Sequence, residues 1–507
     1  MAIFKGFIGQ AYAMDSYAIS TQRSVNWYPE VQGDDNAAPG ALRPTPGYKL
    51  LFTIVDDTLP AGSFNRGMYR TSKGIGLTPE DGGSVIAVVG PNVYWIKQDN
   101  SYEKLGTMSN LMTKISMVDD GFGLVIADGT NLHRLDIATK VFSTLPFTND
   151  MRQPTQVEYF NSYTMVIGKA KNLPQNSFWW SRNFDNQNWD ALDNTQAEQS
   201  QDPVTAMTSN GGFLYMLGPD SYELWSTTGD SKFPFARSYA SSGSVGIHAP
   251  LSLCKIGNGV FMLGQSNQGS VGAFKSNGTE FQRISTLALD QEWSNYVTTD
   301  CTAWTYSERG HDFVLFNFDA ANKTWCYCVD QNTWHERASR NEATDTLNRW
   351  EPNYCIQRVT GQRTQMLVGD RTSTNIYEMR TGFGTENGRH IRRIRSTSHI
   401  NDQQNMVMVN AVRFDMDTGV GISDEDPANY TKAPTVMLKY SQNRGKTWSA
   451  EIRRTAGKTG EYDSSVEFTS LGASRNFTVE YSMTDACCPS IINGFIFTSQ
   501  ATGRKDG

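Results

Sequence analysis

Seven stretches of the chain follow one plan: a short apolar run, a turn of Gly, Asn or Asp, then a second run that carries an aromatic residue. They are SVIAVVGPNVYWI from Ser84, GLVIADGTNLHRL from Gly123, YTMVIGKAKNLPQNSFWW from Tyr163, GFLYMLGPDSYELW from Gly212, VFMLGQSNQGSVGAF from Val260, DFVLFNFDAANKTWCY from Asp312 and QMLVGDRTSTNIYEM from Gln365. An eighth, TVMLKYSQNRGKTW, starts at Thr435. The starts lie roughly forty to fifty residues apart, the period of propeller blades. Such a unit cannot bury its apolar face alone and has to stack on its neighbours. This predicts an all-β chain: a β-propeller of about six blades with an N-terminal arm and an additional C-terminal β region. The expected boundaries are 1–55 for an arm that crosses the surface into the first blade, 56–380 for the blades, and 381–507 for a β region completing or extending the propeller.

Abundant Gly and an aromatic content of 11% suit short strands and tight turns. Helical periodicity is scarce, so helix is expected to be minor. No apolar run approaches the ~18 residues of a membrane helix. The stretch MAIFKGFIGQAYAMDS lacks the continuous apolar core of a secretory leader. Cysteine occurs seven times. Neither Cys326–Cys328 nor Cys487–Cys488 has the gap of a zinc ribbon and no paired His follows, so reduced thiols made in a cytoplasm are expected. The net charge of −7 opposes an open nucleic-acid-binding surface.

Catalytic templates fail. There is no phosphate loop, no H-E-x-x-H and no G-x-G-x-x-G after a strand. SGSVG at 242–246 has Ser where a nucleophile elbow needs its first Gly. The six histidines are scattered; His133 and His335 flank turns and are expected in hydrogen-bonded structural roles. FDMDTGVG from Phe414 has Val420 where a calcium loop needs Gly, and reads as a strand end and turn. Ser441, Asn443, Gly445, Thr447 and Trp448 resemble the Asp-box of sialidase-type propellers, with Asn for Asp. That box is a hairpin turn, with Trp packed beneath, and adds to the propeller case rather than to catalysis. No enzyme activity, cofactor or metal ligand is predicted.

Both ends of the chain differ from the blades. TQRSVNWYPEVQ at Thr21–Gln32 and LRPTPGYKLLF at Leu42–Phe52 flank the polar, turn-rich GDDNAAPGA. Towards the other end, Arg389, Arg392, Arg393 and Arg395 fall within seven positions, followed by acids at 415, 417 and 424–426. The run Arg389–Arg395 has two readings: a grip on DNA phosphates or an acidic protein neighbour, or, with Arg393 and Arg395 alternating in a strand, a solvated face opposed by those acids; the negative net charge favours the solvated or protein-facing reading. The order NWYPE, T-P-G, VRFDMDTGVG, LKYSQNRGKTWS and EFTSLGASRNFTVEYSMTD resembles a family of short-tailed phage proteins. It is called packaged-DNA stabilisation protein, tail accessory factor or tail nozzle. The resemblance implies a structural virion protein of the tail, a propeller with added β elements and no catalytic residues. It implies a homohexameric ring below the portal–adaptor ring. That ring would continue the DNA channel and help retain the genome, with tailspike, tail fibre or tail needle proteins as neighbours and duplex DNA passing without sequence-specific binding. Assembly would take place in the host cytoplasm. Interfaces are enriched in Trp and Arg. Trp179, Trp180, Trp189, Trp350, Arg389, Arg392, Arg393 and Arg395 are therefore candidate assembly contacts. The alternative is a carbohydrate-binding or glycan-cleaving tail propeller, with the aromatics of 176–189 stacking on sugars.

Overall fold

A computed structural model describes residues 2–3, 6–14, 20–31, 40–77, 83–109, 113–146, 151–190, 192–197, 202–230, 234–266, 269–361, 363–403, 405–422 and 432–500. Most of GDDNAAPGA and the acids at 424–426 lie outside them. The chain forms a β-propeller and a β-sandwich, and seven blades occur among the described residues. Their first strands are Asn65–Arg70, Ser116–Asp119, Met151–Phe160, Ala206–Asn210, Cys254–Ile256, Thr302–Glu308 and Pro352–Thr360. Each is followed by antiparallel neighbours running outward. The repeats at Ser84 to Gln365 are the middle hairpins of blades 1 to 7, so the expected count of about six becomes seven. The eighth repeat lies in the sandwich. Helix is confined to Leu287–Trp293 and two 3-10 turns among the described residues, and no helix there is long and apolar enough to cross a membrane.

The middle strands are apolar throughout because both faces are buried. In Val85–Val89, residues Val85, Ala87 and Val89 pack towards blade 7, while Ile86 and Val88 pack towards blade 2. Clusters of this kind fill every interface around the ring, from blades 1 and 2 through to blades 7 and 1. Fully burying one such side chain is worth about 1.5–3 kcal/mol, which makes stacking the main source of stability.

Ring closure comes from the N-terminal region. The strand Gly47–Thr53 pairs antiparallel with Asn375–Arg380 and forms the outer strand of blade 7. The sandwich has two sheets. One contains Val466–Ser474, Val407–Met416, Ile491–Gln500, Gly40–Pro44 and Trp27–Val31, in that order. The other runs Arg393–Ser396, Thr478–Met483, Thr435–Ser441, Ile452–Thr455. The second sheet is continuous with blade 6 through Ser24–Val25, which bridges Thr333–Asn341 and Arg393–Ser396. The N-terminal segment therefore does not cross the surface: its strands complete one blade and both sandwich sheets before the chain enters blade 1.

Candidate functional site: the propeller axis and the interdomain junction

The first strand of each blade lies at the axis. Successive first strands touch around the ring, and Pro352–Thr360 touches Asn65–Arg70. Their sequences are more polar than the middle strands because they face one another rather than an adjoining sheet. Lys114, on the connection into blade 2, reaches the opposite wall. Its Nζ donates to the carbonyls of Leu251 (3.1 Å) and Ala303 (2.8 Å) and lies 5.8 Å from the Tyr354 ring. Burial there holds its pKa below the ordinary lysine value. Lys255 makes a second crossing, donating to Glu158 Oε1 (3.0 Å) and the Ser209 carbonyl (3.2 Å). Glu158 also accepts from the hydroxyls of Thr208 and Ser209, both at 3.1 Å. The cavity left beside Lys114 measures about 200 Å³. A gap spanned by one lysine does not admit a duplex whose major groove alone is ~12 Å wide.

The junction is built from the two N-terminal strings. Asn26 is buried in the left-handed region at φ 57°. Its Nδ2 donates to the carbonyls of Ala338 (2.8 Å) and Arg392 (2.9 Å), and its Oδ1 accepts from the Ala338 amide (3.0 Å). One side chain thus ties blade 6 to the edge of the sandwich. Trp27 and Tyr28 follow, and strand alternation sends them to opposite sides. Trp27 enters the sandwich core beside Tyr481, with ring centroids 5.3 Å apart. Tyr28 enters the core between blades 6 and 7 against Phe313. Pro29 is tolerated because this is an edge strand. In the T-P-G string, Thr45 binds the Asn26 carbonyl through its amide (3.2 Å) and hydroxyl (3.0 Å), and the Pro46 carbonyl accepts from Arg337 (3.1 Å). Gly47 passes so close to the 383–385 backbone that a Cβ would meet the Thr385 carbonyl at 2.2 Å.

The candidate contacts are mostly spent inside the subunit. Adjacent Trp179 and Trp180 point to opposite faces of blade 3, one packed against blade 2 and the other against blade 4, and Trp189 joins the first cluster. Trp350 is fully buried: its Nε1 donates to Glu386 (2.7 Å), and the Arg337 guanidinium lies 3.8 Å above its ring. Burial raises the Glu386 pKa above the ordinary glutamate value. Arg393 and Arg395 are fully buried rather than solvated. Arg395 donates to the carbonyls of Gly6 (2.7 Å), Phe7 (2.8 Å), Gln10 and Arg23 (both 3.3 Å), so main-chain dipoles replace the expected acids. Burial lowers its pKa. Arg389 makes a two-pronged pair with Glu351 at 2.7 Å, and Arg392 pairs with Asp345 at 3.2 Å. These two keep partial exposure.

His133 behaves as expected, bonded to Asp128 (3.0 Å) and Thr144 (3.1 Å). His335 does not: it is fully buried and neither ring nitrogen has a hydrogen-bond partner among the described residues. The Asp-box-like string is a turn in which Ser441 Oγ accepts from the Gly445 amide (2.9 Å) and Asn443 Oδ1 from the Thr447 amide (2.9 Å). It lies in the sandwich, and Trp448 remains half-buried rather than packed beneath. FDMDTGVG ends a strand and turns, as expected, with Gly419 at φ 71°. Sequence reasoning missed Lys114, Asn26 and Gly47, although the last two stand in the strings that carried the resemblance.

No curated protein sequence matches this one. Among solved structures, the extracellular domain of a hybrid two-component system from B. thetaiotaomicron superposes with TM-score 0.42 at 9% identity, over 84% of this chain and 48% of that one. This chain therefore spans about half of that relative. Virginiamycin B lyase from Staphylococcus aureus gives TM-score 0.38 at 11% identity, over 62% and 98% of the two chains. The specific match is by sequence. Residues 8–383 match the beta-propeller of bacteriophage P22 Gp10 and residues 392–491 match its beta-sandwich. With both domains matched in order across most of its length, the chain belongs to the bacteriophage P22 Gp10 family of phage tail structural proteins.

Proposed function

We propose that the chain is one subunit of a six-membered ring at the end of a short phage tail. The ring continues the DNA channel below the portal and its adaptor and helps retain packaged DNA until ejection. The observation that supports this most is the closed propeller axis: with Lys114 across it, a duplex has no route through one subunit, so a channel requires several copies around a shared bore. Six copies at −7 each carry −42. A bore of that sign repels phosphates spaced about 1.7 Å along the duplex and favours sliding over gripping. Tailspike, fibre or needle proteins are the neighbours on the far side. Assembly in the host cytoplasm fits seven cysteines that are all free of disulfides. The glycan reading is left with little of its aromatic platform, because Trp179, Trp180, Trp189 and Phe178 are buried and only Phe184 of that stretch is exposed.

The test is electron microscopy and mass photometry of the purified chain, alone and mixed with a portal–adaptor complex. A hollow six-fold ring wide enough for a duplex is expected. A chain that stays monomeric in both samples overturns the proposal, and hydrolysis of a polysaccharide by that monomer favours the glycan reading.

A further inference from the structure

Three donor atoms converge at one end of blade 6. His311 opens the strand His311–Phe318, Cys328 closes the strand Lys323–Cys328, and Asp330 stands in the turn that follows. His311 Nδ1, Cys328 Sγ and a carboxylate oxygen of Asp330 all lie within 4.8 Å of one another. Nδ1 and Asp330 Oδ2 are 3.8 Å apart. Zinc bonds of ~2.0–2.3 Å place tetrahedral ligands roughly 3.3–3.8 Å apart, so the trio needs to close by at most about 1.5 Å. His311 Nδ1 is cut off from solvent and has no hydrogen-bond partner among the described residues, a buried polar atom that asks for an explanation. Cys328 is fully buried, whereas the Asp330 side chain is 43% exposed and gives an ion a way in. Asp330 is held by the Asp312 amide at 2.8 Å, the outer support that a ligating carboxylate normally has.

We propose that His311, Cys328 and Asp330 bind one divalent ion of the zinc type, with water in the fourth position. A nitrogen, sulfur and oxygen set suits zinc or cobalt; calcium and magnesium take oxygen ligands. The ion fastens the two hairpins of blade 6 beneath the strand Trp27–Val31. Tyr28 meets His311 edge-on at 5.7 Å, and the Val31 amide donates to Gln331 in the same turn at 2.9 Å. Linear spacing hides the site, because its ligands come from two hairpins and follow no ribbon motif. It is independent of the ring proposal.

The test is Co2+ titration of the whole chain after chelator treatment. The native chain is expected to take up one Co2+ with tetrahedral d–d bands and a thiolate-to-cobalt charge-transfer band, both displaced by Zn2+. Cys328→Ser removes the charge-transfer band and Cys488→Ser keeps it. Asp330→Asn, at an exposed position that folding tolerates, weakens Co2+ binding about tenfold or more and abolishes the rise in Tm that Zn2+ gives the native chain. Absence of a thiolate band in the native chain, or its survival in Cys328→Ser, overturns the proposal.

Discussion

Replacing Asn26 tests whether the junction rests on one side chain. Asn26→Ala removes three side-chain hydrogen bonds, to the Ala338 carbonyl, the Ala338 amide and the Arg392 carbonyl. The two bonds to Ala338 are buried and that to Arg392 is partly so; each lost bond costs about 1 kcal/mol, more where the partner stays unsatisfied. The left-handed backbone at φ 57° adds about 1 kcal/mol for Ala. The expected destabilisation is about 4 kcal/mol. Asn26→Gly loses the same bonds without the backbone strain and should recover about 1 kcal/mol of that loss. Urea unfolding followed by tryptophan fluorescence measures the difference. Hydrogen exchange at the Ala338 amide reports the broken bond locally, since its acceptor is the Asn26 side chain. A loss below about 1 kcal/mol in Asn26→Ala, or unchanged protection of the Ala338 amide, would refute the assignment of Asn26 as the tie between the domains.

Trp179→Ala should cost about 3–5 kcal/mol by leaving a cavity between blades 2 and 3, measured by urea midpoint; a near-neutral result would contradict its burial in that cluster. Gly47→Ala forces a Cβ to 2.2 Å from the Thr385 carbonyl and should loosen blade 7, seen as faster hydrogen exchange along 375–380. Glu386 gives a pH signature. Burial raises its native pKa, so the native chain holds a proton that the unfolded chain releases above about 4.5, and stability falls as pH rises from there to the native value. Glu386→Gln should flatten that slope in pH-dependent melting curves, and an unchanged slope rules out Glu386 as its source. Arg395→Lys cannot serve four carbonyls at once, so limited proteolysis should cut the segment at residues 6–10 while the blades stay protected.

The middle hairpins were legible because strands buried on both faces must be apolar along their whole length, as in Val85–Val89. The first strands were not. Met151–Phe160 faces the axis and carries Arg, Gln and Glu, so it has no continuous apolar run. Outer strands such as Phe142–Leu145 are half exposed and equally faint. The fourth strand of blade 7 comes from 47–53, over three hundred residues from its partner, and no local pattern announces such a pairing. Where Trp and Arg pack was hidden for a related reason. Their types fit an interface and a core equally well, and only the neighbouring blade decides which. Arg395 looked solvated because arginine in a strand usually is; four main-chain carbonyls in one buried place cannot be seen in a linear sequence.

The same long-range pairing orders the folding. Residues 24–53 leave the ribosome before any blade exists, yet Gly47–Thr53 can pair only once 375–380 has been made, and Trp27 finds its pocket only when Tyr481 is present. Contacts of such separation are slow to form, because loop closure is paid before they return any stability. Blades 1 to 6 can stack in order as they appear, while closure of the ring and docking of the sandwich wait for each other through the strand Trp27–Val31, whose alternate side chains serve both cores. The junction requires both domains, so a complete propeller and a complete sandwich are coupled through it.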